Sequence, residues 1–85
     1  MDIEGFVREL NNRMNSFIEW EHTKAPNDAA IRASTLGRFR QELKTTITKL
    51  MDERRITFNH DVEVGNFMTQ LNTPIENLMN RYING

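Results

Sequence analysis

Residues 64–82 read VGNFMTQLNTPIENLMNRY, and the fold turns on how this stretch is taken. Val64, Met68, Leu71, Ile75, Leu78 and Tyr82 recur at spacings of 4, 3, 4, 3 and 4. That rhythm places all six on one stripe of an α-helix, the spacing of a coiled-coil seam. Pro74 interrupts it. Thr73-Pro74-Ile75-Glu76 has the form of a capping box with proline at the first helical position, the mark of a new helix start. Yet the stripe keeps its phase through the proline, which suits one kinked helix. The expectation is two short helices, or one with a sharp bend near residues 71–73, over 61–84. Asp61 is the expected cap of this segment.

The same period appears twice more upstream. Ile3, Val7, Leu10, Met14 and Phe17 form a stripe over residues 2–22, with Asp2 and Glu4 at the end where the helix dipole favours acids. Pro26 ends that segment by pushing Ala25 out of helical geometry, and Asn27 or Asp28 can cap the next. Ala29, Ala33, Leu36, Phe39, Leu43, Ile47 and Leu50 form the stripe of a segment over 28–54. Gly37 weakens it by about 1 kcal/mol relative to alanine, and either permits a close helix approach or is tolerated. Arg32 and Arg54 fall on or near the apolar stripe and Arg40 at its margin. An arginine so placed snorkels around the core edge, meets an acid of a neighbouring helix, or less often lines an anion pocket. Residues 55–60 leave the helical pattern. Ile56 and Phe58 alternate with polar residues, which allows a short hairpin. A loop burying both beneath the helices is simpler. The fold class is therefore all-α: a small antiparallel bundle of three long helices, the third bent or broken near Pro74, in a single domain spanning 1–85.

Composition bounds the rest. Eighty-five residues support one small core. With 27% charged and 38% apolar residues, wholesale disorder is not expected. Cysteine is absent. That removes disulfides, thiolate metal sites and thiol nucleophiles, and it suits a reducing cytoplasm. No apolar run approaches the length of a membrane span, and the acidic start Met1-Asp2-Ile3-Glu4 is unlike a signal peptide, so no membrane association is expected. The net charge of −1 hides an asymmetry: residues 1–22 carry −3, residues 32–55 carry +4 and residues 56–85 carry −2. Either the segments pair charges across their seams, or the middle one offers a basic face to phosphate or an acidic partner.

Reaction chemistry has little to stand on. Ser16 and Ser34 lie in helical patterns without a nucleophile elbow, and His22 and His60 stand beside helix ends without companion motifs. Glu19-Trp20-Glu21-His22 contains Glu-x-x-His, one unit of a carboxylate metal site, with His60 to Glu63 as a reversed partner. One such unit matches any glutamate-rich helix that carries a histidine. The four glycines are isolated, so no phosphate loop exists. The expectation is no enzyme, no metal and no cofactor.

Binding remains, in two forms. Phe6, Ile18, Trp20, Phe67, Met79 and Ile83 lie on stripe flanks and exceed what one small core easily covers. They are the candidate protein-binding and self-association residues, with a homodimer as the first expectation. The resulting function is that of a small helical protein acting stoichiometrically as regulator or inhibitor of a partner protein. Its size and its asparagine and methionine content have the texture of tailed-phage accessory proteins, an impression no motif carries. The alternative is RNA binding through the second segment, with Arg38, Arg40, Lys44, Lys49, Arg54 and Arg55 contacting phosphate and Phe58 or Tyr82 stacking on bases. A pI near 6.1 counts against that alternative.

Overall fold

A computed structural model describes residues 2–24 and 28–85. The described residues form four helices: α1 (Ile3–Lys24), α2 (Ala29–Ser34), α3 (Leu36–Glu53) and α4 (Asp61–Asn84). Among the described residues there is no strand, so the hairpin at 55–60 does not form. The all-α reading holds. Pro26 and Asn27, expected to separate the first two segments, lie outside the described residues.

Local chemistry sets the helix ends. The Asp2 carboxylate accepts the Gly5 N–H at 2.9 Å and caps α1. Asp28 caps α2 in the same way, through Ile31 N–H at 3.0 Å. The second segment is not one rod. At Thr35 the backbone turns to φ −101°, ψ 20°, and the chain restarts as α3. The Thr35 hydroxyl holds the corner: its Oγ1 bonds the Arg32 carbonyl at 3.1 Å and the Tyr82 hydroxyl at 2.8 Å. Gly37 permits no close approach, because nothing would meet a Cβ there within 4 Å.

α3 ends in a Schellman motif, with Ile56 N–H bonding the Met51 carbonyl at 2.9 Å and Arg55 N–H bonding Asp52 at 3.1 Å. Arg55 occupies the left-handed position, φ 53°, where glycine is usual. The motif folds Ile56 back, and it packs with Phe58 against the core.

α4 differs from expectation at two points. Asp61 is its first helical residue rather than its cap. His60 holds the cap position without a side-chain bond, while Glu63 Oε2 accepts the Asn59 N–H at 3.1 Å. Nor does the helix break at residues 71–73: α4 runs unbroken with Pro74 inside it. The capping box loses to packing, because Leu71, Ile75, Leu78 and Tyr82 reach the core only if the helix keeps its phase. The carbonyl deprived of its partner by Pro74 belongs to Gln70, which is exposed to water.

Cross-helix contacts fix the directions. Arg54 reaches the Gly5 carbonyl and Arg38 reaches Glu21, so α1 and α3 run oppositely. Phe6 meets Phe67 edge-on at 5.2 Å and Phe17 stacks with Tyr82 at 6.1 Å, so α1 and α4 run together. Phe39 lies 5.3 Å from Tyr82, which sets α3 against α4 in opposite senses. The result is 44 × 20 × 18 Å, drawn out along the helices. Phe6, Leu10, Met14, Ile18, Phe39, Leu50, Phe67, Leu71, Leu78 and Tyr82 form the core. Three of these, Phe6, Ile18 and Phe67, were expected on an outer association flank. With relative exposures of 0%, 1% and 3% they are core residues, because α1 and α4 each bury a stripe wider than the heptad positions alone.

Candidate recognition surfaces

Of the remaining flank residues, Met79 and Ile83 are half-buried against the core. Trp20 stands apart at 62% exposure near the end of α1. The Thr23 hydroxyl bonds its carbonyl at 2.6 Å, and the Lys24 ammonium lies 5.2 Å from the centre of its ring. A cation over an indole holds the ring's orientation in the open.

The six bases do not form one patch. Arg38 gives Nε and Nη2 to Glu21 Oε1 at 3.1 and 2.6 Å. Glu21 is buried and also lies 4.0 Å from Lys24. Hydrogen bonding to that carboxylate holds the Arg38 guanidinium above its ordinary pKa. Arg54 spends Nη2 on the Gly5 carbonyl at 3.2 Å. Arg55 is turned by the left-handed exit of α3. Arg40, Lys44 and Lys49 are exposed. At 100° per residue, however, Lys49 falls beside Arg38 on the side facing α1, while Arg40 and Lys44 fall on the side facing away. The aromatic residues meant to stack on bases are taken as well: Tyr82 is fully buried and Phe58 packs on Phe67 at 5.3 Å.

Arg32 is buried within α2 and gives Nε to the Ile83 carbonyl at 2.9 Å. The neighbouring Tyr82 carbonyl accepts from the His22 ring at 2.8 Å. Two side chains from elsewhere in the chain thus satisfy carbonyls at the end of α4, where a helix has none of its own donors left. His22 serves structure here, and the Glu19–His22 pair gathers no further ligands: among the described residues no group of three or more His, Asp or Glu side chains converges on a metal position. The Ser16 and Ser34 hydroxyls bond the carbonyls of Asn12 and Ile31 within their own helices. Among the described residues no helix is long and apolar enough to cross a membrane.

Two features escaped the sequence reading. The first is a polar ladder closing the α1/α3 seam. Arg13 binds both Glu53 oxygens at 2.8 and 2.7 Å and Glu9 at 3.0 Å. These bonds hold the Arg13 guanidinium above its ordinary pKa, and the bond to Arg13 holds the Glu53 carboxyl below the usual carboxylate range. The second is the contrast offered by the α3/α4 seam. Among the described residues the Thr35 cap of α3 bonds Tyr82, and no other hydrogen bond or ion pair joins those two helices. Leu43, Ile47 and Met51 of α3 and Ile75 and Met79 of α4 are half-buried against the core; at 100° per residue they fall on the flank of each helix away from its α1 seam, and Val64 and Met68 stand on the same flank of α4 at 40% and 46% exposure. Met79, one position beyond the α4 stripe, was its signal in the sequence; Val64, Met68 and Ile75 stood on the stripe itself. Comparison with protein-family models, with curated proteins and with solved structures gives no match to this chain.

Proposed function

We propose that this chain is a small recognition protein that binds a partner protein stoichiometrically, as a regulator or inhibitor in the cytoplasm, and performs no reaction itself. One observation carries the reading: Trp20, the largest apolar side chain, is left in solvent while the other aromatic side chains are covered. Exposed tryptophan on a rigid helix, braced by a cation, is the residue type that dominates the energetics of protein interfaces. The frame supports it. We take α3 as the middle helix of an up-down-up bundle, with α2 turned against the end of α4, a frame stiff enough to present α1 without rearrangement. Hydroxyls and an imidazole already bonded to backbone carbonyls are poorly placed as nucleophile or base.

RNA binding through α3 is the weaker reading, because Arg38 and Arg54 are engaged within the chain and the exposed bases point to different sides. The test is capture from a nuclease-treated lysate of the native host by the tagged protein and by Trp20→Ala. The expected result is one protein held near equimolar ratio by the parent and at least about tenfold less by the variant, with circular dichroism unchanged. Equal capture by the variant removes Trp20 from the interface. A ligand lost on nuclease treatment, with affinity falling steeply as salt rises, would establish the nucleic-acid reading instead.

A further inference from the structure

We propose that the open face between α3 and α4 is the contact between two copies of this chain, arranged so that α3 of one copy lies against α4 of the other. The three seams of the bundle are closed differently. Charged ladders tie α1 to α3, through Arg13 with Glu53 and Arg38 with Glu21. Hydrogen bonds from His22 to the Tyr82 carbonyl and between Arg81 and Asn15 tie α1 to α4. Among the described residues the α3/α4 seam has apolar contacts alone beyond the bond between Thr35 and Tyr82 at its end, and its outer side is a strip of Ile47, Met51, Met68, Ile75 and Met79. An apolar strip with a charged rim is what a second protein surface covers.

Charge selects the occupant and its direction. On α3, Arg40 and Lys44 lie about 20° to either side of Met51 around the helix and make that side of the strip basic. On α4, Glu76 lies just outside Ile75 and Met79 and makes the facing rim acidic. Arg40, Lys44 and Glu76 are exposed, and among the described residues none of them forms an ion pair. The Phe39–Tyr82 contact fixes the register: five residues further along α3, Lys44 comes level with Asn77, beside Glu76. A two-fold axis parallel to the helices lays α3 on the partner's α4 in this same register. Each Lys44 then meets the partner's Glu76, twice by symmetry. The other two-fold, perpendicular to the helices, lays α3 on α3 and sets the Arg40 and Lys44 rims against each other. Like-charge opposition disfavours it. The face is therefore self-complementary in one orientation only. The proposal stands apart from the partner reading, since Trp20 is on α1, which lies on the far side of the α3/α4 layer.

The test is the mass of the protein by sedimentation equilibrium across a concentration series, for the parent, for Lys44→Glu and for Glu76→Lys. Both substituted positions are exposed, and circular dichroism checks that each variant folds. The parent is expected to be a dimer. Each single reversal is expected to weaken the dimer at least about tenfold, because two contacts change from attraction to repulsion. Mixing the two variants in equal amounts is expected to restore a dimer, because every rim contact between the unlike copies again joins opposite charges. An effect confined to each chain's own Lys44 and Glu76 predicts no such rescue. A parent that stays monomeric at all concentrations overturns the proposal. So does a dimer that Lys44→Glu leaves alone or tightens, or a mixture that remains monomeric.

Discussion

Glu53 shows what a single residue contributes here. Its carboxylate accepts from both terminal guanidinium nitrogens of Arg13, a side chain forty positions away, and that bonding holds its pKa below the usual range. A carboxyl whose folded value is depressed stabilises the fold above its unfolded value, about 4.3, and loses that contribution as pH falls through the folded value. Glu53→Gln is therefore expected to lower the melting temperature at neutral pH. The gap between variant and parent should close below about pH 4. Thermal unfolding followed by circular dichroism over a pH series measures it, and a gap that persists unchanged into acid would mean the loss is not the ion pair. The effect will be modest, because the pair is open to solvent and screened. Glu21 differs: it is buried, and Arg38 is the charge that makes its burial tolerable. Glu21 stands four residues after Phe17 and so continues the apolar stripe of α1, but nothing in the spacing of either segment shows that it meets Arg38.

At the scale of the helix, Pro74 records a contest between local and tertiary preference. Locally, Thr73-Pro74-Ile75-Glu76 favours a new start. Tertiary packing favours continuity, because a break would turn Ile75, Leu78 and Tyr82 off the stripe begun by Phe67 and Leu71. Burial of three large side chains is worth several kcal/mol, at roughly 1.5–3 each, against about 3 for an interior proline. Pro74→Ala restores a donor to the Gln70 carbonyl and removes that cost, offset by about 1 kcal/mol from the freer unfolded chain. The expected outcome is a gain of about 2 kcal/mol in urea denaturation. No gain, or a loss, would mean that proline begins a separate helix after all. Thr35 is the opposite case: propensity allowed one long helix over 28–54, and the chain turns there because its hydroxyl meets Tyr82 and lets Arg32 reach the end of α4.

In the whole molecule, the core comes from three stripes largely visible by spacing, but the stripes are wider than expected and their ends differ: Val64 and Met68 of α4, and Ala29 and Ala33 of α2, are exposed. Phe6, Ile18 and Phe67 looked surplus on a helical wheel. A third helix packing from the side turns such flank positions inward, so they belong to the core. Phe6→Ala is accordingly expected to cost about 3–5 kcal/mol, enough to leave a domain this small largely unfolded at room temperature, as a urea titration or a near-ultraviolet spectrum would show. A folded Phe6→Ala protein with changed association would return Phe6 to the surface. The basic middle segment likewise divides once the helices are assembled: Arg38 and Arg54 serve the fold, and Arg40 and Lys44 edge the open seam.

The sequence by itself determined that the chain is helical, where most of its helices run, and that Ile56 and Phe58 fold back between them. These follow from periodicity and chain stiffness, which act over a few neighbouring residues. Only the tertiary structure decided that α4 runs through its proline, that the second segment turns at Thr35, and which arginines are occupied. It also left Trp20 in the open. Those outcomes depend on which surfaces meet across the bundle, between residues as far apart as Thr35 and Tyr82, and no local spacing encodes that.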